Sequence, residues 1–291
     1  MIVTLLKGGL GNQMFQYAAG RRLALKHGTK LFMDLSWFKN VAQVDTKRVY
    51  ELNCFNIEEN FIDRSSIVIA EAEQSLKVKV YRLTKGLLKP RLRTFIEKAH
   101  HYDKQVLSLP DNTYLDGFWQ NEKYFTDIRR TLFDDFTFKS KPDSKNKQLL
   151  EAITNSNAVS LHIRRGDYAR NQATKDFHGL MGSDYYNKAV EIMAKKTKNP
   201  RFFIFSDEPD WTKKNIKIKY PATYVSGNKA GFEDMRLMVN CRHHITANSS
   251  FSWWGAWLNP SKDKIVIAPR RWFLDPSMSK AEIIPEKWIK L

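Results

Sequence analysis

Residues 158–168 read AVSLHIRRGDY, an apolar run that ends in a cluster of charged residues. The apolar part has the length and composition of a buried β-strand, 158–163, and the charged residues follow where that strand ends. Further strands and helices alternate after it. We predict strands at 201–205, 222–226, 243–246 and 264–267, and helices at 185–196, around Trp211, at 232–240 and at 252–258. Strands separated by helices predict a parallel, doubly wound sheet.

The beginning of the chain shows the same strand, turn and helix order. Residues 2–6 are apolar and β-branched, and the glycines of KGGLG, residues 7–11, end that segment. Apolar residues then recur at helical spacing over 12–27, with Asn12 as a candidate N-cap and Gly28 as the residue after the helix. A second strand at 30–33 completes the first βα unit of an α/β layer.

Two other segments have weaker patterns. Residues 37–101 mix aromatic residues with basic stretches, and we predict that they are mostly helical. The C-terminal AEIIPEKWIKL, residues 281–291, is expected to form a closing helix.

A polar stretch, KSKPDSKNKQLLEAITNSN at 139–157, separates the two α/β halves. A chain of 291 residues is near the practical limit of a single hydrophobic core. We therefore predict an N-terminal domain, 1–150, and a C-terminal domain, 151–291.

The chain is strongly basic, with 48 Lys and Arg against 31 Asp and Glu, a net charge of +17 and a pI of about 9.7. Such a charge favours anionic partners, which include nucleic acid, an anionic membrane and phosphorylated small molecules. The two cysteines, Cys54 and Cys241, exclude a disulfide framework and suit a reducing compartment. No apolar run is long enough for a signal peptide or a membrane span, so we expect a soluble, cytoplasmic protein.

In an open parallel sheet, ligands bind at the carboxyl ends of the strands. The first predicted strand of the second half ends in His162, Arg164 and Arg165. Adjacent side chains at a strand end point to opposite faces, so one arginine is expected to reach the crevice and the other to turn toward the protein. A guanidinium suits a diphosphate because it donates parallel charge-assisted hydrogen bonds. The alternative is that the arginines pair with Asp167 and hold the turn.

Two more strand ends carry polar residues. Asp207 could accept hydrogen bonds from the edge of a nucleobase, or it could cap the following helix. Asn248, Ser249 and Ser250 could surround a phosphate with hydroxyls and backbone amides, or they could be ordinary helix-capping residues.

Two common cofactor sites are not supported by the sequence. The glycines at 8–11 do not complete a dinucleotide fingerprint, because Met14 stands where a third small residue is needed. Asn12 and Gln13, at the start of the first helix, could still exchange hydrogen bonds with a ligand across a cleft. The chain has no Asp-x-Asp pair, HExxH or P-loop, so no dedicated divalent-metal site is predicted.

Four blocks together are similar to a known family. They are KGGLGNQMFQYAAGRRLA near the start, GFWQNEKYF at 117–125, SLHIRRGDY in the middle and ITANSSFSWWGAWLN late in the chain. In this order they resemble the α-1,2-fucosyltransferases of glycosyltransferase family 11. The resemblance implies an α/β fold of GT-B type, in which two Rossmann-like domains face each other across a cleft. It places the acceptor mainly in the N-terminal domain and the donor in the C-terminal domain.

The resemblance also implies a reaction. L-Fucose would be transferred from GDP-fucose to the 2-hydroxyl of a galactose, with inversion and without a metal ion or other cofactor. Arg164 would then contact the β-phosphate, while His162 and Asp207 would lie near guanosine. Ser249 and Ser250 would contact phosphate or ribose.

The group that removes the proton of the acceptor hydroxyl is left open by the sequence. Asp167 is a candidate, Asp34 and Asp116 are alternatives, and Asn12 could position the hydroxyl without acting as a base.

A competing interpretation is a basic α/β protein that binds nucleic acid. The lysines at 213, 214, 217 and 219 motivate it, but no RNA-binding signature occurs and the basic residues are dispersed. The transferase interpretation predicts a galactose-terminated oligosaccharide or lipid-linked glycan as acceptor, and peripheral contact with the anionic inner face of a membrane.

Overall fold

A computed structural model of the chain describes residues 1–40, 48–70, 90–98 and 100–291. The chain divides into two compact units, residues 1–137 and 138–291. Each unit contains a parallel sheet with helices between its strands, which confirms the predicted α/β fold with two parallel-sheet domains.

The sheet of the first unit has its described strands in the order β3-β2-β1-β6-β5-β4, and every neighbouring pair is parallel. The strands are β1 (Ile2–Leu5), β2 (Leu31–Asp34), β3 (Phe61–Ile62), β4 (Val68–Ala70), β5 (Arg91–Ile96) and β6 (Thr113–Asp116). The described helices of this unit are α1 (Leu10–Lys26), α2 (Ser36–Asn40) and α3 (Arg129–Asp135), with short 3-10 turns at Leu52–Cys54, Arg64–Ser66, Lys104–Ser108, Glu122–Tyr124 and Thr126–Ile128.

The turn between β1 and α1 depends on its glycines. Gly8 has φ +77°, a backbone conformation that other residues rarely adopt, and α1 begins directly after Gly9. The N-cap is therefore Gly9, and the prediction of Asn12 as the N-cap is wrong because the helix starts two residues before it. Gly28, with φ +59°, follows the end of the helix as predicted.

The prediction of mostly helical structure over 37–101 is wrong for the part that the structure describes. Three of the six strands, β3, β4 and β5, lie there, while residues 41–47, 71–89 and 99 are outside the described ranges. In β5, exposed Arg91 and Arg93 alternate with buried Leu92, which is the two-residue period of a strand with one solvated face. Pairing with β4 and β6 satisfies its backbone.

The sheet of the second unit has the order β12-β11-β10-β7-β8-β9 and is also parallel throughout its described pairs. Its strands are β7 (Asn157–Ile163), β8 (Pro200–Ser206), β9 (Ala222–Tyr224), β10 (His243–Ile245), β11 (Val266–Ala268) and β12 (Ile289–Lys290). Its helices are α4 (Ser144–Thr154), α5 (Gly166–Arg170), α6 (Gln172–His178), α7 (Ser183–Lys196), α8 (Pro209–Asn215), α9 (Gly231–Asn240) and α10 (Ser250–Trp257), with a 3-10 turn at Pro276–Met278.

The two ends of this unit differ from the sequence predictions. The division between units falls at the start of the polar stretch, and α4, inside that stretch, belongs to the second unit. Asp143 caps α4 by accepting a hydrogen bond from the backbone N–H of Asn146 (2.8 Å). The predicted C-terminal helix is wrong, because the chain after Pro285 ends as β12, paired with β11. The Leu291 N–H extends this pairing to the Ala268 carbonyl (3.0 Å).

The central strand β7 is buried on both faces, as expected for a parallel sheet. On one face Val159, Leu161 and Ile163 pack with buried residues of α7 and β8. On the other face Ala158 packs with residues of α9 and with Phe203 and Phe205. This packing fixes the carboxyl end of β7, where the charged residues begin.

Candidate active site

The polar strand ends of the second unit lie side by side. Strand β7 pairs with β8 on one side and with β10 on the other, and all three run in the same direction. The residues that follow them are 164–168, 207–208 and 246–250. The structure thus brings three of the predicted segments to one edge of one sheet, as the sequence indicates.

Asp207 binds the turn that follows β7. Its Oδ1 accepts a hydrogen bond from the Arg165 backbone N–H (2.9 Å), and its Oδ2 lies 3.1 Å from a terminal nitrogen of Arg164. The alternative role of Asp207 as a helix cap is wrong, because the N-cap residue of α8 is Glu208 and both oxygens of Asp207 contact the turn after β7. Asp207 instead orients the Arg164 guanidinium.

Arg165 is the arginine that turns toward the protein. Its Nε donates to Glu208 Oε2 (3.1 Å), and its guanidinium lies 3.6 Å from the centre of the Trp211 ring. Arg164 is about a quarter exposed. The ion pairs described for the two arginines are with Asp207 and Glu208; the side chain of Asp167, on α5, is outside the described residues.

His162 is a neutral imidazole at the end of β7. Burial lowers its pKa well below the ordinary value, the Arg164 charge lowers it further, and the Asp207 carboxylate opposes both effects. Its ring lies 5.7 Å from that of Phe251, and its Nδ1 has no hydrogen-bond partner among the described residues. A buried neutral ring nitrogen can exchange a hydrogen bond with a bound nucleotide.

Asn248, which follows β10, holds the end of α6 and the loop that contains Trp272. Its amide nitrogen lies within hydrogen-bond distance of the carbonyls of His178 (2.8 Å), Gly179 (3.3 Å) and Trp272 (3.2 Å). The amide nitrogen of Asn248 is thus used for these contacts, while its Oδ1 is buried without a hydrogen-bond partner among the described residues.

Ser249 and Ser250 lie at the start of α10. Ser249 is the N-cap residue, but its hydroxyl makes no capping hydrogen bond, so the capping alternative does not describe its side chain. The first N–H groups of α10 point away from the helix and carry the positive end of its dipole. Hydroxyls and N–H groups in this position form a common binding site for phosphate.

The predicted residues of the first unit have different surroundings. The Gln13 amide is fully used: its nitrogen donates to the carbonyls of Gly8 (2.9 Å) and Val49 (2.8 Å), and its oxygen accepts the Glu51 N–H (2.9 Å). Gln13 therefore fixes the β1–α1 turn. Asn12 is half-buried, and its Oδ1 accepts a hydrogen bond from Gln120 (2.8 Å).

The two alternative bases, Asp34 and Asp116, lie in this unit and have different surroundings. Asp34 is almost completely buried and accepts hydrogen bonds from the Tyr114 hydroxyl (2.7 Å) and the Ser36 N–H (2.7 Å), so it stabilises the sheet. Asp116 is half-buried and pairs with Lys7 (2.7 Å). Sequence reasoning missed Lys7, Glu208 and Gln120, although Lys7 and Gln120 lie inside two of the family-like blocks.

Two features are absent from the described residues, a cluster of metal ligands and a membrane-spanning helix. No three His, Cys, Asp or Glu side chains among them are grouped in a way that could hold a metal ion. None of their helices combines the length and the apolar character needed to cross a bilayer.

Comparison with known proteins shows the family of this chain. The family model described as glycosyl transferase family 11 matches residues 1–291. An alpha-1,2-colitosyltransferase of Escherichia coli is 35% identical over 94% of this chain and 92% of its own length. The O-antigen biosynthesis glycosyltransferase WbnK of Escherichia coli is 36% identical over 92% of this chain and 93% of its own. A galactoside 2-alpha-L-fucosyltransferase of Mus musculus, Sec1, is 22% identical over 92% of this chain and 67% of its own.

A solved structure has the same fold. The fucosyltransferase NodZ from Bradyrhizobium superposes with a TM-score of 0.51 at 13% sequence identity, covering 87% of this chain and 91% of NodZ. The two parallel α/β domains are therefore those of the GT-B type of glycosyltransferase. With the family model spanning the whole sequence and two relatives above 30% identity, this chain belongs to glycosyl transferase family 11.

Proposed function

We propose that this protein transfers L-fucose from GDP-fucose to the 2-hydroxyl of a galactose at the end of a glycan, as a galactoside α-1,2-fucosyltransferase. The second unit is the proposed donor domain and the first unit the proposed acceptor domain. The acceptor is an oligosaccharide or a lipid-linked glycan.

The observation that carries the proposal is the arrangement at the carboxyl edge of the second sheet. A partly exposed guanidinium, held by a carboxylate, lies one strand away from a helix N-terminus whose cap residue makes no capping hydrogen bond with its hydroxyl. Both features favour a diphosphate. The name of the Mus musculus relative supports galactose and the 2-position, and the colitosyltransferase name also specifies an α-1,2 linkage.

The proposed reaction is a single displacement. The acceptor oxygen bonds to the anomeric carbon of fucose, the bond from that carbon to the β-phosphate oxygen breaks, and its electron pair stays on GDP. The configuration of the anomeric carbon is inverted. Arg164 stabilises the negative charge that develops on the departing phosphate, which is greatest in the transition state. Arg165, Asn248, Ser249 and Ser250 are proposed to line the donor site.

The proton of the acceptor hydroxyl needs its own acceptor. We propose Asp167 for this role, with Asn12 positioning the hydroxyl. His162 and Asp207 are proposed to contact guanosine, and Gln13 to support the acceptor side through the turn that it fixes.

A second donor has specific support. The colitosyltransferase relative is much more similar in sequence than the galactoside fucosyltransferase. Colitose is L-fucose without its 3-hydroxyl, so GDP-colitose would bind through the same nucleotide contacts. Contacts to the 3-hydroxyl, which fucose has and colitose lacks, therefore decide which donor is used.

The experiment is a donor and acceptor screen with purified protein. We expect release of GDP from GDP-fucose or GDP-colitose in the presence of lactose, and no lactose-dependent release of UDP from UDP-galactose or of GDP from GDP-mannose. NMR of the product should locate the new linkage at the 2-position of galactose. Transfer only from another nucleotide sugar, or to another position, would contradict the proposal.

Two further measurements test what the sequence predicts about cofactors and partners. We propose that no metal is required, so excess chelator should leave the rate unchanged. GDP should raise the melting temperature of the protein, whereas UDP and ADP should not. Salt-sensitive oligonucleotide binding without a GDP effect would instead support the nucleic-acid alternative.

The proposed location is the cytoplasm, with peripheral contact at the inner face of the membrane. The net charge of +17 is the feature that supports such contact. Co-sedimentation with anionic vesicles, and its loss in neutral vesicles, is the expected result.

A further inference from the structure

A cluster of polar and aromatic side chains lies at the carboxyl edge of the first sheet. It consists of Lys7, Asn12, Asp116, Phe118 and Gln120, and we call it the edge cluster. The Lys7 ammonium lies 2.7 Å from Asp116 Oδ1 and 4.8 Å from the centre of the Phe118 ring. The Gln120 amide donates to Asn12 Oδ1 (2.8 Å). The residues come from the ends of β1 and β6 and from the start of α1.

Gln120 has an unused hydrogen-bond acceptor. The residue is only 8% exposed, and its Oε1 is buried with no partner in the part of the chain that the structure describes. A buried polar atom without a partner costs about 1–3 kcal/mol. A ligand hydroxyl that donates to Gln120 Oε1 would recover much of this free energy.

The edge cluster is also accessible. The side chains of Lys7 and Asp116 are 19% and 29% exposed, and the Phe118 ring is half-buried. The cluster therefore offers an ammonium donor, a carboxylate acceptor, an amide acceptor and an aromatic ring on one partly open surface. A few oriented polar groups beside an aromatic ring are typical of a small-molecule site, and they match the hydroxyls and the C–H groups of a sugar.

The backbone that carries these groups is firmly held. Glu97 accepts hydrogen bonds from the N–H groups of Phe118 (2.6 Å) and Trp119 (3.1 Å). Gly117 has no room for a side chain, since a Cβ there would lie 2.4 Å from Glu97 Cβ. Side chains on a backbone held in this way lose little entropy when a ligand binds.

The charge of the edge cluster decides what kind of sugar fits. Lys7 is already paired with Asp116, and Glu97 adds a carboxyl group on the same edge. Burial, together with the Lys7 charge, lowers the pKa of nearby His100 to about 4, so this ring is neutral at pH 7. The edge cluster thus has no net positive charge, in contrast to the +17 of the whole chain. An anionic sugar would meet the Asp116 carboxylate, whose Lys7 partner is already used in the ion pair.

We propose that the edge cluster binds an uncharged hexose of the acceptor glycan, with Asp116 and Gln120 accepting hydrogen bonds from its hydroxyls and Phe118 packing against its ring. Lys7 is a positioning residue that holds Asp116. This inference rests on the proposed function, because it names residues and a sugar class for the acceptor side of that reaction.

The first test measures acceptor KM with methyl β-galactoside at saturating donor. Asp116→Asn and Gln120→Ala should each raise KM at least tenfold, while the Kd for GDP measured by calorimetry stays within twofold of wild type. The matched controls are Asp111→Asn and Gln105→Ala. Both residues lie in the same unit but outside the edge cluster: Gln105 is exposed, and Asp111 pairs with the N-terminal amine at the surface of the unit. Unchanged KM in both edge-cluster variants would overturn the proposal.

The second test separates positioning by Lys7 from a general structural role. Lys7→Met should raise the acceptor KM, and Lys7→Arg should restore most of the wild-type value, because arginine can also pair with Asp116. If Lys7→Met and Lys7→Arg raise the acceptor KM equally, with an unchanged melting temperature, the ion pair does not position Asp116.

The third test uses charge. The matched acceptors are methyl β-galactoside and methyl β-galacturonide, which differ in a carboxylate at carbon 6. The uronide should have at least fivefold lower kcat/KM, and Asp116→Asn should reduce this difference because it leaves the Lys7 charge unpaired. Equal use of the two acceptors by wild type would overturn the assignment of a neutral sugar.

Failure of the proposed function can be recognised separately. If wild type transfers neither fucose nor colitose, the reaction is wrong, and saturation-transfer NMR of methyl β-galactoside with the GDP complex still tests the binding site. Loss of that NMR signal in Gln120→Ala, but not in Gln105→Ala, would support the edge cluster. Persistence of the signal in Gln120→Ala would refute it.

Discussion

The substitution Gly166→Ala adds a single methyl group, which should move the Asp207 side chain away from Arg164, the proposed phosphate contact. Gly166 is the first residue of α5 and directly follows the two arginines. A Cβ placed on it would lie 2.6 Å from Asp207 Oδ2 and 3.1 Å from Asp207 Cγ. A carbon and an oxygen that are not bonded to each other do not approach so closely, so Gly166→Ala must displace the Asp207 side chain.

The loss of stability and of activity caused by Gly166→Ala follows from the contacts that Asp207 makes. Its displacement weakens the hydrogen bond from the Arg165 N–H (2.9 Å) and the ion pair with Arg164 (3.1 Å). Both side chains of the ion pair are 26% exposed, so solvent screening reduces its value. We expect a loss of about 1–2 kcal/mol in the free energy of unfolding, or about 2–8 °C in melting temperature. A misplaced Arg164 should also lower kcat by about tenfold to 10²-fold.

The assay combines initial rates of transfer with thermal unfolding. Gly231→Ala is the matched control, because a Cβ at Gly231, the first residue of α9, would be 3.8 Å from the nearest atom, on Phe251. It should leave both quantities unchanged. In a double-mutant cycle, Gly166→Ala should cost much less when Asp207 is already alanine. A Gly166→Ala protein with kcat within twofold of wild type, or strict additivity in the cycle, would refute the proposed link between Asp207 and Arg164.

Three other changes have direct consequences. Arg164→Ala should lower kcat by about 10²-fold to 10³-fold with little change in melting temperature, which steady-state kinetics would show. Lys264→Met should lower the free energy of unfolding by about 1–3 kcal/mol in urea titrations, because the ammonium bonds to the carbonyls of Ala256 (2.7 Å), Trp257 (3.2 Å) and Asn259 (2.7 Å) at the end of α10. Acid should also destabilise the fold: the pKa of His100 falls from 6.5 to about 4 on folding, so the unfolded chain binds more protons between these values. His100 alone should contribute no pH dependence well above pH 6.5 and a loss of about 2 kcal/mol in the free energy of unfolding at pH 5, and His100→Gln should remove that share of the acid loss.

The second half of the fold was predictable because its signals are local. Each main strand there is an apolar run followed at once by polar residues, and β7 and β8 differ from the predicted ranges by one residue at their ends. The first half contains strands that sequence cannot separate from loops. Strand β3 has two residues and β4 has three, and both depend on pairing with distant strands.

The position of the candidate site was predictable, but the partners of its residues were not. Charged residues after β7 and β8 indicate the carboxyl edge of the sheet. No pattern of spacing indicates that Arg164 pairs with Asp207, more than forty positions later, in preference to a nearby acid. Asn248 is a similar case, because the carbonyls that it holds belong to loops at residues 178–179 and 272.

The two adjacent arginines are linked through Asp207, and this explains how Arg165 can influence the reaction through the protein in addition to lining the proposed donor site. Glu208 and Trp211 fix the Arg165 side chain, and its backbone N–H then fixes one oxygen of Asp207. The other oxygen orients Arg164. A guanidinium oriented before the donor binds does not have to reorganise when charge develops on the phosphate. On this reasoning the second arginine of the RRGD segment acts on the reaction through Asp207, and the site depends on β8 as much as on β7.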